Sequence, residues 1–542
     1  MNHPYSTTRI VATPLIAVVA LAVGLLLSSP LKAATPGIQG TVFNLVAGPA
    51  SITQPDGAMI YSWGYGCSLS FTPKFVPFGS GSVGCPTMQV PGPTLIVTEG
   101  DTITVSLTNN LPMGAGNTSI AFPGFQVTAT CTAGSCPQGL QTMEAAQGST
   151  VTYKFDATSP GTRAYYSGTQ PDLQIEMGLY GAIVVLPDPA RSTYDCQIIG
   201  SDASQSLGGK SAEYRLAPMA YDHPGTCYDR EYLFQFMELD PVIHRQAEEQ
   251  ASAIASCVPS PDMSCPTQLN VITEPYHARY FLINGRSMPD DMDPNYAPNY
   301  PHQPYNGNPH MHPGDLTLLR TIGQGHAEHP FHEHGNHVRI LARDGNLILS
   351  QNDLNAGSQP APRLGGRMEF TTDTFPGQAY DGIFYWTGKG LGWDIYGHTP
   401  GNPNNPPCLP DSNGFNTVNG GASTTAANYY EWCADHNHPL ESNPVGQVGG
   451  GGPVTQFDPQ IGTNGLWYNG SPYLGQDAVR NSSGPTPLPP NASPMNPARE
   501  SGIAFMWHSH NEREITTNDV FPGGMLMMML VDPSDWFIDE TL

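Results

Sequence analysis

The chain has 542 residues, of which only 12% are charged, and its 46 acidic side chains outnumber the 21 basic ones for a formal charge of −25. That surplus excludes nucleic acid and anionic membrane surfaces as partners, because both would repel it. With 59 glycines and 54 prolines, the chain is rich in turns, which favours many short strands over long helices and makes the expected fold class all-β.

In chain order, Arg9 precedes an apolar run from Ile10 to about Leu27, followed by Ser-Ser-Pro and the small pair Ala33-Ala34. This pattern reads as a secretory signal over residues 1–34, and the protein is expected to be exported to a periplasm or to the cell exterior. A membrane anchor is the alternative, but the run is short and has no basic stop-transfer flank. No other stretch is apolar enough to span a bilayer. All ten cysteines follow this segment and fall as near neighbours: Cys67/Cys85, Cys131/Cys136, Cys196/Cys227, Cys257/Cys265 and Cys408/Cys433. An even count in an oxidising compartment predicts disulfides, and sequential pairing is the simplest scheme.

Residues 35–190 read as a first strand-rich domain. Thr94-Leu-Ile-Val-Thr, Thr102-Ile-Thr-Val-Ser-Leu, Thr150-Val-Thr-Tyr-Lys-Phe and Gly181-Ala-Ile-Val-Val-Leu are buried or alternating strand runs, separated by Pro91-Gly-Pro, Glu99-Gly-Asp and Asn109-Asn110 turns. This is the pattern of an antiparallel sandwich. Residues 191–275 read as an elaborated connector, with a small middle domain as the alternative. They contain a strand at Glu231–Leu239 and a helix from Pro241 to Ser256 capped by Asp240. A second strand-rich domain covers 276–542 and is interrupted by a Gly-, Pro-, Asn- and Ser-rich insertion over 399–500.

The chemistry is concentrated in His326-Ala-Glu-His-Pro-Phe-His-Glu-His-Gly-Asn-His337, which places five histidines in twelve residues. Alternate residues of an extended strand share a face, so His332 and His334 point the same way, as do His508 and His510 in Trp507-His-Ser-His. Two such strands side by side would bring four imidazoles, the commonest metal ligands, to one side of a sheet. His310-Met-His312 and His436-Asn-His438 repeat the spacing within Pro- and Asn-rich loops. Lys389 to His398 reads as a structured loop in which Asp394 or His398 could orient a ligand. No Ser-His-Asp elbow, phosphate loop or dinucleotide fingerprint occurs.

Gln89-Val-Pro-Gly-Pro-Thr-Leu, Glu99-Gly-Asp-Thr, Leu107-Thr-Asn-Asn-Leu-Pro and Met177-Gly-Leu-Tyr-Gly-Ala resemble the opening cupredoxin domain of laccase-like multicopper oxidases. Leu282-Ile-Asn-Gly-Arg, His312-Pro-Gly-Asp, the 329–337 histidine segment and His508-Ser-His with Gly524-Met525 resemble the last domain. The resemblance implies two or three cupredoxin-like Greek-key sandwiches with long loop insertions. It implies an oxidoreductase in which a type 1 copper passes electrons to a three-copper cluster that reduces dioxygen. Two-domain relatives place that cluster between subunits, so a homotrimer is implied too.

The departures from the family pattern restrict this expectation. His329 matches a type 1 ligand and Met525 the weak axial position, but Ser509 stands where the thiolate belongs and Glu514 falls near the second histidine. A hard hydroxyl cannot replace the soft thiolate of a blue site. The first domain's two His-x-His pairs align with Ala121-Phe-Pro and Tyr166-Ser-Gly, and residues 35–187 contain no histidine at all. Four histidines remain of the family's eight: His332, His334, His508 and His510. That set suits one copper, or zinc, better than three coppers. His326, His329 and His337 are extra-ligand candidates, and Tyr166, Met143 and Met177 could approach from the first domain. The expected protein is an exported copper-binding relative with a reduced, His-only site and a small-molecule or metal-ion substrate. A scaffold that has lost copper chemistry is the alternative, and the sequence leaves catalysis open.

Overall fold

The computed structural model describes residues 35–76, 79–80, 84–190, 196, 215–261, 264–312, 314–351, 363–387, 408–423, 431–434 and 503–531. The signal segment, the 389–398 loop, His436 and His438, and most of the 399–500 insertion lie outside them.

The described chain is nearly all-β. Its first part contains β1 (Gly37–Gln39), β2 (Val42–Thr53), β3 (Met59–Cys67), β4 (Lys74–Val76), β5 (Gly79–Ser80), β6 (Leu95–Thr98), β7 (Thr102–Asn109) and β8 (Thr128–Ala133). It continues through β9 (Thr150–Asp156), β10 (Gly161–Tyr166), the single-turn helix α1 (Pro171–Gln174) and β11 (Tyr180–Leu186). These strands form one sheet in the order β10-β11-β6-β1-β4-β5 and a second in the order β3-β2-β7-β9-β8. The pairings β1/β6, β6/β11 and β2/β7 are parallel, so between the partners of each pair the chain crosses to the other sheet and back, and the sheets are mixed rather than purely antiparallel as expected. Alternation sorts the faces. Along β7, Ile103, Val105 and Leu107 are buried while Thr104, Ser106 and Thr108 face outward. The inward side chains meet Leu95, Val97, Tyr165 and Ile183 of the opposite sheet in one core, and each such buried side chain contributes about 1.5–3 kcal/mol.

The second part begins with β12 (Arg230–Leu239), followed by helix α2 (Pro241–Ser256), β13 (Tyr280–Ile283), β14 (His310–Met311), β15 (Leu316–Gly323), β16 (His329–Glu333) and β17 (Val338–Arg343). It ends with β18 (Asn346–Leu347), β19 (Met368–Glu369), β20 (Thr371–Thr374), β21 (Ala379–Tyr385), β22 (Ile503–Ser509) and β23 (Leu526–Val531). One sheet runs β13-β12-β15-β21-β17-β18 with β19 beside β17, and the other runs β14-β23-β22-β16-β20. Phe234, Phe236, Leu319, Ile340 and Phe384 of the first sheet pack on Phe331, Phe505, Trp507, Met527 and Met529 of the second. Helix α2 starts where its sequence directs. The Asp240 Oδ1 accepts from Val242 N–H at 2.8 Å, and proline occupies the first turn, where no N–H is needed. His310 and Met311 are not in a loop as their prolines and asparagines suggest. They form a short strand beside Leu530 and Val531, with Met311 fully buried. All ten cysteines are paired in the sequential scheme.

The two sandwiches meet through β10. Ala164 and Ala182 pack on Leu233, Ile322 and Ala379, and a buried polar knot lies beside them. Arg320 pairs with Glu231 at 2.9 Å and with Asp381 at 3.6 Å. Asp381 accepts from the Thr162 hydroxyl at 2.6 Å and from the Tyr221 hydroxyl. Removing one charge from such a group strands its partners without water. Asp381→Ala is therefore expected to cost about 3–5 kcal/mol in urea denaturation, and a loss below about 1 kcal/mol would show that the knot does not hold the sandwiches together.

Candidate metal centre

The antiparallel register of β16 and β22 pairs Phe331 with Ser509, His332 with His508 and Glu333 with Trp507. Trp507 and Phe331 face the core, so His332 and His508 face outward together. His334 and His510 continue the same face. The nitrogens of His332, His334 and His508 lie within 4.8 Å of one another, and all three rings are buried. Ring centroids of His332 and His334 are 4.8 Å apart, those of His332 and His508 5.5 Å, and those of His334 and His508 5.4 Å. His510 stands 4.8 Å from His332 by the same measure, with its side chain 51% exposed and its Nδ1 3.1 Å from Glu512 Oε1. The strand alternation is visible in Glu333, which points away into the core, where burial pushes its carboxyl pKa up.

Neighbouring groups orient these rings. A carbonyl only accepts, so the 2.7 Å contact between His508 Nδ1 and the Ser509 carbonyl makes Nδ1 the donor and puts the ring's lone pair on Nε2. Burial, helped by the charge of His510, lowers the His508 pKa against that hydrogen bond, which favours the neutral, ligating form. His332 Nδ1 lies 2.7 Å from Thr371 Oγ1, and Phe370 meets the same ring edge-to-face at 5.7 Å. Three imidazoles converging this closely match the donor set of copper or zinc, whose bonds to histidine nitrogen are about 2.0–2.1 Å.

The position expected for a type 1 copper holds an ion-paired group instead. His329 is fully buried, with Nε2 2.8 Å from Glu238 Oε2 and Nδ1 2.8 Å from Glu514 Oε2. The Ser509 hydroxyl donates to the same Glu514 oxygen at 2.5 Å, and the Asn511 amide donates to Glu514 Oε1 at 2.8 Å. Burial alone would lower the His329 pKa, but the hydrogen bonds and charges of the two carboxylates raise it to about 9. Burial likewise pushes Glu238 up, while the His329 hydrogen bond and charge bring it below its ordinary value. A ring protonated at both nitrogens has no lone pair to offer a metal. Met525 is fully buried in the second core, and its backbone carbonyl accepts from Ser509 N–H.

The other candidates lie against neighbouring side chains. His326 Nε2 lies 3.6 Å from Glu176 Oε2, with its ring against Tyr276, and His337 packs on Phe370. His312 meets Arg230 and Asp315. Met177 and Met143 belong to the first core, and Tyr166 packs at the contact between sandwiches. The two first-domain segments that would carry family histidines do lie side by side, joined by hydrogen bonds between Ala121 and Tyr166. Their surroundings are filled by a polar network in which the Gln174 amide oxygen accepts from both Ser167 and Thr118. Sequence reasoning missed Glu238 as the partner of His329. Its signal was a carboxylate within Tyr232–Leu239, where the other residues apart from Gln235 are apolar or aromatic. Thr371 and Phe370 carried no such signal.

Comparison with known proteins agrees with the motifs of the first sandwich. Residues 83–190 match the multicopper oxidase family model. Over that stretch, about a fifth of the chain, the sequence is similar to laccase-like multicopper oxidases. Laccase-3 of Botryotinia fuckeliana is 39% identical over 108 residues, 20% of this chain and 22% of that protein. Laccase abr2 of Aspergillus fumigatus is 33% identical over 125 residues, 23% of this chain and 20% of that one. The chain thus matches about a fifth of the length of these curated relatives. The blue copper oxidase of Nitrosomonas europaea superposes over 90% of this chain and 85% of its own, at 15% identity and a TM-score of 0.41, too loosely to support an argument.

The His329 arrangement makes a prediction about alkali. Its folded pKa of about 9 exceeds the unfolded value of about 6.5. Its contribution is therefore complete below about pH 6.5 and is lost as pH rises through 9. The shift corresponds to stability on the order of 3 kcal/mol. The urea midpoint of the unmodified protein should fall between pH 6.5 and 9.5, and His329→Gln should abolish that fall. Parallel pH profiles for the two proteins would mean the ring is not held protonated.

Proposed function

We propose that this chain is a divergent, laccase-like multicopper oxidase relative, an exported copper protein with one His-only metal site and no blue-copper relay, built on His332, His334 and His508 with His510 at the open edge. The observation that carries the reading is the convergence of three buried imidazoles, with nitrogens within 4.8 Å, on the outer face of one sheet. His329 and Met525 enter the proposal as supports of the surrounding strands rather than as ligands. The domain organisation goes with it: a signal over 1–34, a first sandwich over 35–190, a connecting segment over 191–275, and a second sandwich over 276–542 that carries the site. Five disulfides support export to an oxidising compartment. Among the described residues no helix is long and apolar enough to cross a membrane.

A copper ion on these residues would supply one-electron redox chemistry; zinc would supply only Lewis acidity. The chain's own contribution is positional. The Ser509 carbonyl fixes the tautomer of His508, and Thr371 and Phe370 hold the His332 ring. The buried rings keep water from one side, while exposed His510 marks the side from which a small molecule or metal-ion substrate would arrive. Among the described residues the first sandwich packs on the opposite sheet, and a homo-oligomer of the kind the resemblance implies would set a second copy against the histidine face.

Elemental analysis after equilibrium dialysis against copper tests the reading. About one copper per chain is expected, falling below about a tenth in His332→Ala/His508→Ala. No retained copper or zinc in the unmodified protein would leave the scaffold reading, which the polar filling of the first-domain ligand positions favours.

A further inference from the structure

A thioether shares the outer face with the histidines. Along β22, Phe505 and Trp507 turn into the second core, so the alternate residues Met506 and His508 face outward together. The His334 N–H donates to the Met506 carbonyl at 3.3 Å, which carries the β16/β22 register one pair beyond Glu333 and Trp507. Met506 therefore stands opposite His334 on the same face. Opposed side chains on one face have Cβ atoms about 4.5–5.5 Å apart, and alternate residues of one strand are about 6.5–7 Å apart. Met506 thus borders two members of the converging set, His334 across the strands and His508 along its own.

The same alternation separates Met506 from the other methionines of these strands. Met525, Met527 and Met529 lie in the second core. Met528 pairs with Met506 in the β22/β23 register and is partly buried, as Met506 is. It faces outward one strand further from the histidines. Met292 sits beyond it, where its Sδ accepts from Met528 N–H at 3.4 Å. A methionine side chain has three rotatable bonds and adapts its sulfur to its surroundings. That sulfur is soft and uncharged, so it favours Cu(I), whereas imidazole suits copper more generally.

We propose that Met506 is a ligand for the cuprous state of the centre, its sulfur joining His334 and His508 when the bound copper is reduced. The cupric state keeps histidine ligands only. The inference rests on the copper reading given under Proposed function and adds a residue to that site. One strand then supplies a hard-to-borderline donor and a soft donor side by side, and the centre retains its ion in both oxidation states. A neutral thioether differs from the thiolate of a blue site, so Met506 supplies no blue-copper relay.

Copper-edge X-ray absorption of the loaded full chain, before and after reduction with ascorbate, tests the proposal together with competition against bicinchoninate for Cu(I). A sulfur neighbour should be present in the reduced protein and absent from the oxidised one. Met506→Leu, a volume-conserving change that packed faces tolerate, should remove that sulfur and weaken Cu(I) binding about tenfold or more. The Cu(II) content and paramagnetic resonance spectrum of this variant should be unchanged. Met528→Leu should leave both oxidation states bound as before. A reduced site without sulfur, a sulfur signal that survives Met506→Leu, or unchanged Cu(I) affinity in that variant would overturn the proposal and leave the histidine site standing. Failure of the unmodified protein to hold copper in either state would overturn the histidine site, and this proposal with it. The absorption spectra of the unmodified protein decide for or against sulfur even if a variant does not fold.

Discussion

The candidate centre depends on one antiparallel register, that of β16 against β22. With His332 opposite His508, strand alternation sends both His-x-His pairs to the outer face and Phe331 and Trp507 to the core. A slip of one residue would reverse both sets, burying imidazoles among aromatic rings and exposing Trp507 to water. The hydrophobic core therefore fixes the register, and the register collects the histidines. Fold and site share one constraint, because the residues that pack the sandwich alternate with those that converge outside it.

Elsewhere, the positions where the family would hold copper are closed by hydrogen bonds. Around His329, two carboxylates compensate one another's burial through a protonated imidazole, and Ser509 completes the group by donating to Glu514. A buried ion pair of this type is stable only while all its members are present. That argues against an emptied blue site waiting for metal. The first sandwich shows the same closure in neutral form, where Gln174 satisfies the hydroxyls of Ser167 and Thr118. The histidine set differs from both in its place on the outer face of the sheet, where the Ser509 carbonyl orients the His508 ring and Thr371 meets the His332 ring.

Much of this was legible in the sequence. Alternation along Thr102–Asn109 gave the strand and its buried face, the Asp240-Pro241 junction marked the start of the helix, and cysteine proximity matched the disulfide pairing. The spacing of His332/His334 and His508/His510 announced a shared face before any strand pairing was known. The pairing of His329 with Glu238 was hidden because the two lie 91 residues apart, and the local sign was a carboxylate near the end of a mostly apolar strand. His310 and Met311 misled for a related reason. Their prolines and asparagines signal a loop, but pairing with β23 imposes a strand that local propensity does not anticipate.

The electronic spectrum of the copper-loaded protein, recorded by absorption together with electron paramagnetic resonance, tests the central claim most directly. Copper on imidazoles alone, with Ser509 tied to Glu514, should give weak ligand-field absorption and a resonance split by several equivalent nitrogens. An intense blue charge-transfer band with the narrow copper hyperfine splitting of a thiolate site would contradict the account. It would mean that a sulfur ligand reaches the metal and that the His329 group opens to admit copper.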